Sequence, residues 1–408
     1  MPAYYYLWNI KTTSIMKFRS FFYALSAACV VALLAGVPAS AQETNYDESK
    51  VPAYVLPDPL VMNNGKTVKS ARQWTRKRAP EIVETFADQM YGHIPERPEG
   101  LHFKLLSMET VYGGIAERKV VRAFLDKGEE HWFDILIHLP AGATKPVPAF
   151  AGINFYGNEA TITGRSIGSW PYEYIVKSGF CVATAWRDEI EPDDPKNTDK
   201  GVRSWYNKGG DWGAISAWAW ALSRILDYFE TDPAVDASKV AVIGHSRLGK
   251  TAMWAGACDP RFALVVSNDS GCCGAAISRR AFGETFEVIA SRFPHWFCKN
   301  FQKYKGREND FPGDQNCLAA TFAPRPFYVA SATEDQWADP KGEWICAKSL
   351  TPVYALFGKK GLGKDTMPAP DTPDMDGSVG YHIRTGGHAL SDYDWQNYLA
   401  FAKRHLVK

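Results

Sequence analysis

The sequence is short of net charge of either sign. Its 46 Lys and Arg are matched by 45 Asp and Glu, leaving a formal net charge of +1 over 408 residues. That balance excludes a nucleic-acid binder working through bulk charge, and a polybasic membrane-surface protein. Cysteine is scarce, eight in all, too few for a scaffold built on disulfides. There is no H-E-x-x-H and no paired C-x-x-C spacing, so neither a metal centre nor a cofactor is expected. Gly361 and Gly363, beside Lys359 and Lys360, lack the strand–loop–helix setting of a phosphate loop. There is no internal repeat and no low-complexity linker. After residue 41 no apolar run is long and charge-free enough to span a bilayer.

What is present begins with a leader. Lys17 and Arg19 precede an apolar run over residues 21–37, which ends at Pro38-Ala39-Ser40-Ala41. A basic start, an apolar centre and an Ala-x-Ala site make a secretory signal peptide, with cleavage after Ala41. Met16 reads as the true start, and residues 1–15 as an over-called extension. Cleavage removes Lys11, Lys17, Arg19 and Cys29 and no acid. The mature chain then has 367 residues, 43 basic and 45 acidic, a net charge of −2 and seven cysteines. An odd count in an exported protein leaves at least one free thiol or an intermolecular bond. The expected product is soluble, monomeric, and periplasmic or secreted.

Residues 42–80 are polar and interrupted by Pro52, Pro57 and Pro59, and read as an extended arm. Residues 81–408 read as one domain. Ile82, Phe86 and Met90 share a helical face over residues 81–91. Residues 119–125 and 132–139 suggest a hairpin. Strands are expected over 147–155, 180–185, 239–243, 262–267, 327–330 and 381–384, and helices over 212–229 and 247–257. An early hairpin followed by alternating strand and helix predicts an α/β three-layer sandwich around one mixed, mostly parallel sheet.

The chemistry is densest around residue 246. An apolar strand runs through Val240-Ala241-Val242-Ile243 into Gly244-His245-Ser246 and straight into a helix. That is the setting of a nucleophile elbow, in which a sharp turn exposes the Ser246 hydroxyl and the helix N-terminus supplies backbone N–H groups. The usual second glycine comes one place late, at Gly249. An ordinary serine N-cap is the competing reading. A serine nucleophile needs a base and an orienting acid, in the chain order Ser, acid, His for this fold. Of nine histidines, four follow Ser246: His295, His382, His388 and His405. His388, in a glycine-rich loop after the last strand, is placed as the base should be. Asp269 follows the strand after the elbow, and Glu334 and Asp335 follow the next; either position can reach the base, and the residues alone leave the choice open. Lys250 lies one turn from Ser246 and can reach the site mouth. Glu284 stands four residues after Arg280, the spacing of a helical ion pair. Trp337, in an acidic, Pro-ended loop, is the sugar-platform candidate among fourteen tryptophans.

Gly-His-Ser-Arg-Leu-Gly-Lys, Asn268-Asp269-Ser270-Gly271-Cys272-Cys273-Gly274, Arg279-Arg280, Phe282-Gly283-Glu284-Thr285, Trp337-Ala338-Asp339-Pro340 and the Gly-Gly-His end together resemble the glucuronoyl esterases, carbohydrate esterase family 15, of the α/β-hydrolase superfamily. The resemblance covers most of the mature chain and is densest over residues 153–388. His245 matches bacterial members, where fungal ones carry Cys. It implies hydrolysis of an ester between a 4-O-methyl-glucuronoyl group of xylan and an alcohol such as a lignin alcohol. It also implies Ser246 as nucleophile and His388 as base, Arg247 at the oxyanion, and Lys250, Trp337 and Glu284 on the uronate sugar. Donors over the segment from Asn154 to Asn158 are further oxyanion candidates. The family carries its acid at one of two positions, often as Glu at the first. Here Asp269 stands at the first and Asp335 at the second, and the shorter side chain tilts the expectation to Asp335. Cys273 stands where Gly is common. A xylan acetyl esterase, or a non-catalytic sugar-binding protein on the same fold, are the alternatives.

Overall fold

The computed structural model describes residues 44–164, 169–196 and 199–407. The leader expected over residues 1–41 lies outside them. Among the described residues, β1 (His102–Val111), β2 (Ala116–Phe124), β3 (Trp132–Pro140), β4 (Val147–Asn154), β5 (Cys181–Trp186), β6 (Val235–His245), β7 (Leu264–Asn268), β8 (Phe327–Ala332) and β9 (Val379–Arg384) form one sheet. Its order is β1-β2-β3-β5-β4-β6-β7-β8-β9. The first three strands and the β3–β5 pair are antiparallel, and every pair from β5 onward is parallel.

Apolar residues on both faces of the central strands explain why the sheet is covered twice. Ala149, Ala151 and Ile153 of β4 face one core and Phe150 the other. Val240 and Val242 of β6 alternate in the same way with Ala241 and Ile243. A sheet with two apolar faces must bury both. The helices Ala214–Phe229 (α1), Arg247–Cys258 (α2) and Pro340–Ser349 (α3) contribute to the first core, with Trp218, Trp254 and Cys346. The helix Asp392–Leu406 (α4) and the short helix Tyr172–Lys177 close the second, through Trp395, Tyr398 and Ile175. The result is the three-layer α/β sandwich expected, and no helix among the described residues is long and apolar enough to cross a membrane.

Two expectations need correction. The arm read as extended to residue 80 turns helical at Ala71, where the Ser70 side chain accepts from Gln73 N–H as an N-cap. Helix then continues through residues 71–91, past Pro80. The turns over Trp74–Arg78 are of the wider π type, immediately before the proline that lacks an N–H. The second correction is β1, an edge strand with no counterpart in the sequence reading. Leu105, Leu106 and Met108 are exposed on it, and a strand bare on both faces has no period-2 pattern to betray it. The strand into the elbow is also longer than expected, because its polar first half, from Val235, already pairs with β4 at Val147.

Candidate active site

The carboxyl edge of the sheet collects the candidate side chains. β6 ends at His245 and α2 begins at Arg247, leaving Ser246 alone in the turn at φ 58° and ψ −129°. Such a conformation persists in an L residue only where the surroundings over-determine it. Ser246 N–H donates to the Asn268 carbonyl at 2.9 Å, and the Ser246 carbonyl accepts from Gly249 and Lys250 N–H at 2.8 and 3.2 Å. A Cβ at Gly244 would lie 1.8 Å from the Leu248 carbonyl oxygen, so only glycine fits there. A Cβ at Gly249 would meet the Ser270 Cβ at 2.9 Å, so the late glycine of the motif serves close packing against the loop after β7. As the first residue of α2, Arg247 has an N–H with no acceptor inside the helix.

His388 Nδ1 lies 2.6 Å from Asp335 Oδ2. The carboxylate within reach of the base is thus Asp335, not Asp269 and not Glu334, whose side chain is exposed. Asp269 Oδ2 instead accepts from Arg384 Nη2 at 3.1 Å and from Ala389 N–H at 3.3 Å. Its Oδ1 is buried without a partner. Burial, reinforced by the charge of Glu343, drives its pKa well above the carboxylate range although Arg384 opposes the shift. Arg384 also donates to the Gly387 and Ala389 carbonyls at 2.8 and 2.6 Å. Together, Arg384 and Asp269 fix the loop that carries His388. Under that ring lies His245, with centroids 4.4 Å apart. Asn268 gives its amide N–H to Tyr398 Oη at 2.7 Å, so its oxygen faces His245 Nδ1 at 2.6 Å and the proton sits on Nδ1. Burial, then the neighbouring His388 charge, lowers the His245 pKa to about 3, and the ring stays neutral.

A cleft of about 380 Å³ opens over these groups. Ser246, His388, Arg247, Lys250, Glu284 and Trp337 all line it. Lys250 is not at the mouth, as its helical position suggested, but buried: Nζ donates to the Ser270 carbonyl at 2.5 Å and lies 3.5 Å from Glu284 Oε2. Burial raises the Glu284 pKa and Lys250 works against that rise. The Arg280–Glu284 ion pair, the alternative reading of their spacing, does not form. The 3-10 turn Ser278–Arg280 ends at Ala281 with φ 45°, which breaks the helical spacing. Arg280 turns to Asp339 at 2.8 Å and to Glu48 of the arm at 2.5 Å. The side-chain amide of Asn154 is fully committed, its Nδ2 donating to Asn158 Oδ1 and Thr184 Oγ1, while Asn158 Nδ2 gives one N–H to the Asp134 carbonyl.

Several residues of the site were not anticipated. Asp193 accepts from Arg247 Nη1 at 2.5 Å, Arg187 Nη1 at 2.6 Å, His295 Nε2 at 2.8 Å and Trp296 Nε1 at 2.6 Å. Burial alone would raise its pKa, but these donors hold it well below the usual carboxylate range. The Arg247 guanidinium is thereby fixed 4.8 Å over the Trp296 ring. Arg292 lies 5.4 Å over the Trp337 ring, and Phe293 completes this wall of the cleft. Glu343 of α3 accepts from the Ser270 and Gly271 N–H groups and from Ser331 Oγ, tying the loop after β7 to the end of strand β8. For Asp193 a signal existed: an acid-rich, Pro-interrupted segment directly after β5 falls at the same sheet edge as the elbow. Glu343 carries none, being an ordinary glutamate in a helical segment. Of the remaining histidines, His382 is buried between Tyr328 and Asp394, His405 packs on Phe401, and His295 is one hydrogen bond from the group holding Arg247. The seven described cysteines are all free thiols, and Cys273, at φ 55°, occupies a left-handed position that glycine would favour.

A family model described as "Glucuronyl esterase, fungi" matches residues 123–358. The chain is 43% identical over 402 residues to a carbohydrate esterase of an unknown prokaryotic organism, covering 89% of this chain and 92% of that protein. It is 29% identical over 332 residues to 4-O-methyl-glucuronoyl methylesterase 1 of Wolfiporia cocos, covering 76% and 74%. The solved structure of a glucuronoyl esterase from Solibacter usitatus superposes with a TM-score of 0.81 at 44% identity, over 88% of this chain and 99% of that one.

Proposed function

The chain belongs to the glucuronoyl esterase family, carbohydrate esterase family 15, and we propose that it cleaves the ester joining a 4-O-methyl-glucuronoyl group of xylan to a lignin alcohol. It is a carboxylic ester hydrolase. The observation that carries the substrate reading to a mechanism is the 2.6 Å bond from His388 Nδ1 to Asp335, beside a serine held in the elbow turn. With Nδ1 protonated and bonded to Asp335, His388 offers Nε2 as the base. It takes the Ser246 hydroxyl proton as Oγ attacks the uronoyl carbonyl carbon. The oxyanion that forms is met by the Arg247 N–H at the start of α2, with the fixed Arg247 guanidinium adding positive charge nearby. His388 gives the proton to the departing alcohol oxygen as its bond to the carbonyl carbon breaks. Water, deprotonated by His388, then attacks the acyl carbonyl carbon; the bond from that carbon to Ser246 Oγ breaks as His388 returns the proton to Oγ, and the free uronate leaves. Asp335 keeps the imidazolium oriented through both halves. Trp337 supplies a stacking face for the sugar, and Lys250 with Glu284 supplies a donor and an acceptor for its hydroxyls.

Ser246→Ala is expected to abolish turnover of a benzyl glucuronate ester, and retained turnover would sink the assignment. Faster release of acetate from acetylated xylose than of methanol from methyl glucuronate would overturn the substrate class. The same reading has the protein exported and monomeric, with its leader cut after Ala41. Mass spectrometry of the secreted protein should find Gln42 as the first residue.

A further inference from the structure

A second cleft, of about 390 Å³, opens beside the segment that follows β5. It is lined by His131, Trp132, Glu130, Glu189 and Trp205. The same segment contributes to both clefts: its Asp193 holds Arg247 beside Ser246, while Glu189 and Trp205 border the second opening. Both indoles are half-buried and anchored from one side. Trp205 stacks on His131 with centroids 3.9 Å apart, and the Arg122 guanidinium lies 3.4 Å over the Trp132 ring. Arg122 is itself gripped by Asp134 through two bonds of 2.8 and 2.9 Å. Glu189 Oε2 accepts from Asp134 N–H at 2.7 Å, which orients its carboxyl group on the cleft wall. Glu130 stands exposed at the rim.

Held aromatic faces flanked by carboxyl groups suit one ligand chemistry. The C–H faces of a pyranose stack on indole, and its hydroxyls donate to carboxylates. Phosphates and nucleic acids are disfavoured because Glu130, Glu189 and Asp199 outnumber Lys200 on the lining, and the mixed lining does not suit an alkyl chain. The geometry points to a second saccharide site, holding the unesterified main chain of the same polysaccharide whose uronoyl ester enters the catalytic cleft. This inference rests on the proposed function for the identity of the chain, though not for the presence of the site.

The test uses the mature protein, xylohexaose as probe, and two substrates: a polymeric glucuronoxylan ester and benzyl glucuronate. Trp205→Ala is expected to weaken xylohexaose binding by calorimetry about fivefold. It should lower kcat/KM on the polymer by a similar factor while benzyl glucuronate turnover stays within about twofold. Glu130→Ala, at an exposed position that packs on nothing in the core, should weaken xylohexaose in the same direction. The proposal is overturned if neither variant shifts xylohexaose affinity, or if polymer turnover is unchanged while affinity falls. If the parent protein fails to turn over benzyl glucuronate yet Trp205→Ala still weakens xylohexaose, the proposed function falls and the saccharide site stands.

Discussion

Asp269 and Asp335 stand one strand apart on the same sheet edge and do different work. Asp335 bonds His388 Nδ1, whereas Asp269 faces Arg384 and the backbone of Ala389. Asp335→Asn should lower kcat on benzyl glucuronate by about 10³- to 10⁴-fold, because the amide cannot stabilise the imidazolium or fix its tautomer. Asp269→Asn keeps an oxygen for Arg384 and should cost about tenfold or less. Equal losses in the two variants would contradict this division. The residues alone left the pair open because both follow parallel strands, and what separates them is the direction of two loop side chains. The placement of Ser246 and His388 at one sheet edge was legible because each position leaves a mark in the sequence: a Gly-x-Ser between strand and helix, and a glycine-rich loop after the last strand. The competing reading of Glu284 as an ion-pair partner of Arg280 fails because the spacing rule presumes a helix, which the left-handed Ala281 ends.

At the scale of elements, α3 acts on the site from behind. Glu343 reaches from it to the loop after β7 and to Ser331 of β8, and its burial raises its pKa to about 8. In the unfolded chain it titrates near the ordinary glutamate value, about 4.3. Between those values the folded protein holds one more proton than the unfolded, so this group's contribution to stability falls as pH rises from about 4 to 8. Glu343→Gln mimics the protonated acid. Its Tm should decline less than that of the parent protein between pH 5 and pH 8, and an identical decline would refute the assignment. Helices and strands that pack on the core were legible from their periodicity, α1 and β4 above all. The helical residues 71–79 ahead of Pro80 were not, because the proline rule assumes α-geometry and the chain widens to π-turns just before it. Nor was β1, which buries too little to leave a pattern.

For the molecule as a whole, the near-neutral charge balance hides a strongly partitioned interior. Lys250 pairs with Glu284, and Arg247 with Asp193. Far along the sheet from those pairs in sequence, His138 of β3 is fully buried, its ring stacked on Tyr172 with centroids 3.9 Å apart and neither nitrogen bonded. Burial lowers its pKa to about 3. The unfolded chain therefore binds one more proton between about pH 6.5 and 3, and stability is lost as pH falls through that window. His138→Phe keeps the stack and removes the titration, so its Tm should drop less than that of the parent protein between pH 7 and pH 5. A parallel drop would show that the acid limb lies elsewhere.

The free thiols give the fold a property unrelated to esters. Six of the seven described cysteines are buried, and Cys258 alone is half-buried. With no cross-link among them, the architecture is held by packing, and a reducing agent finds no bond there to break. Those thiols also make a built-in clock. An alkylating reagent meets six shielded sulfurs only when the sandwich opens, so the pace of their capture counts openings of the native molecule, one mass increment at a time.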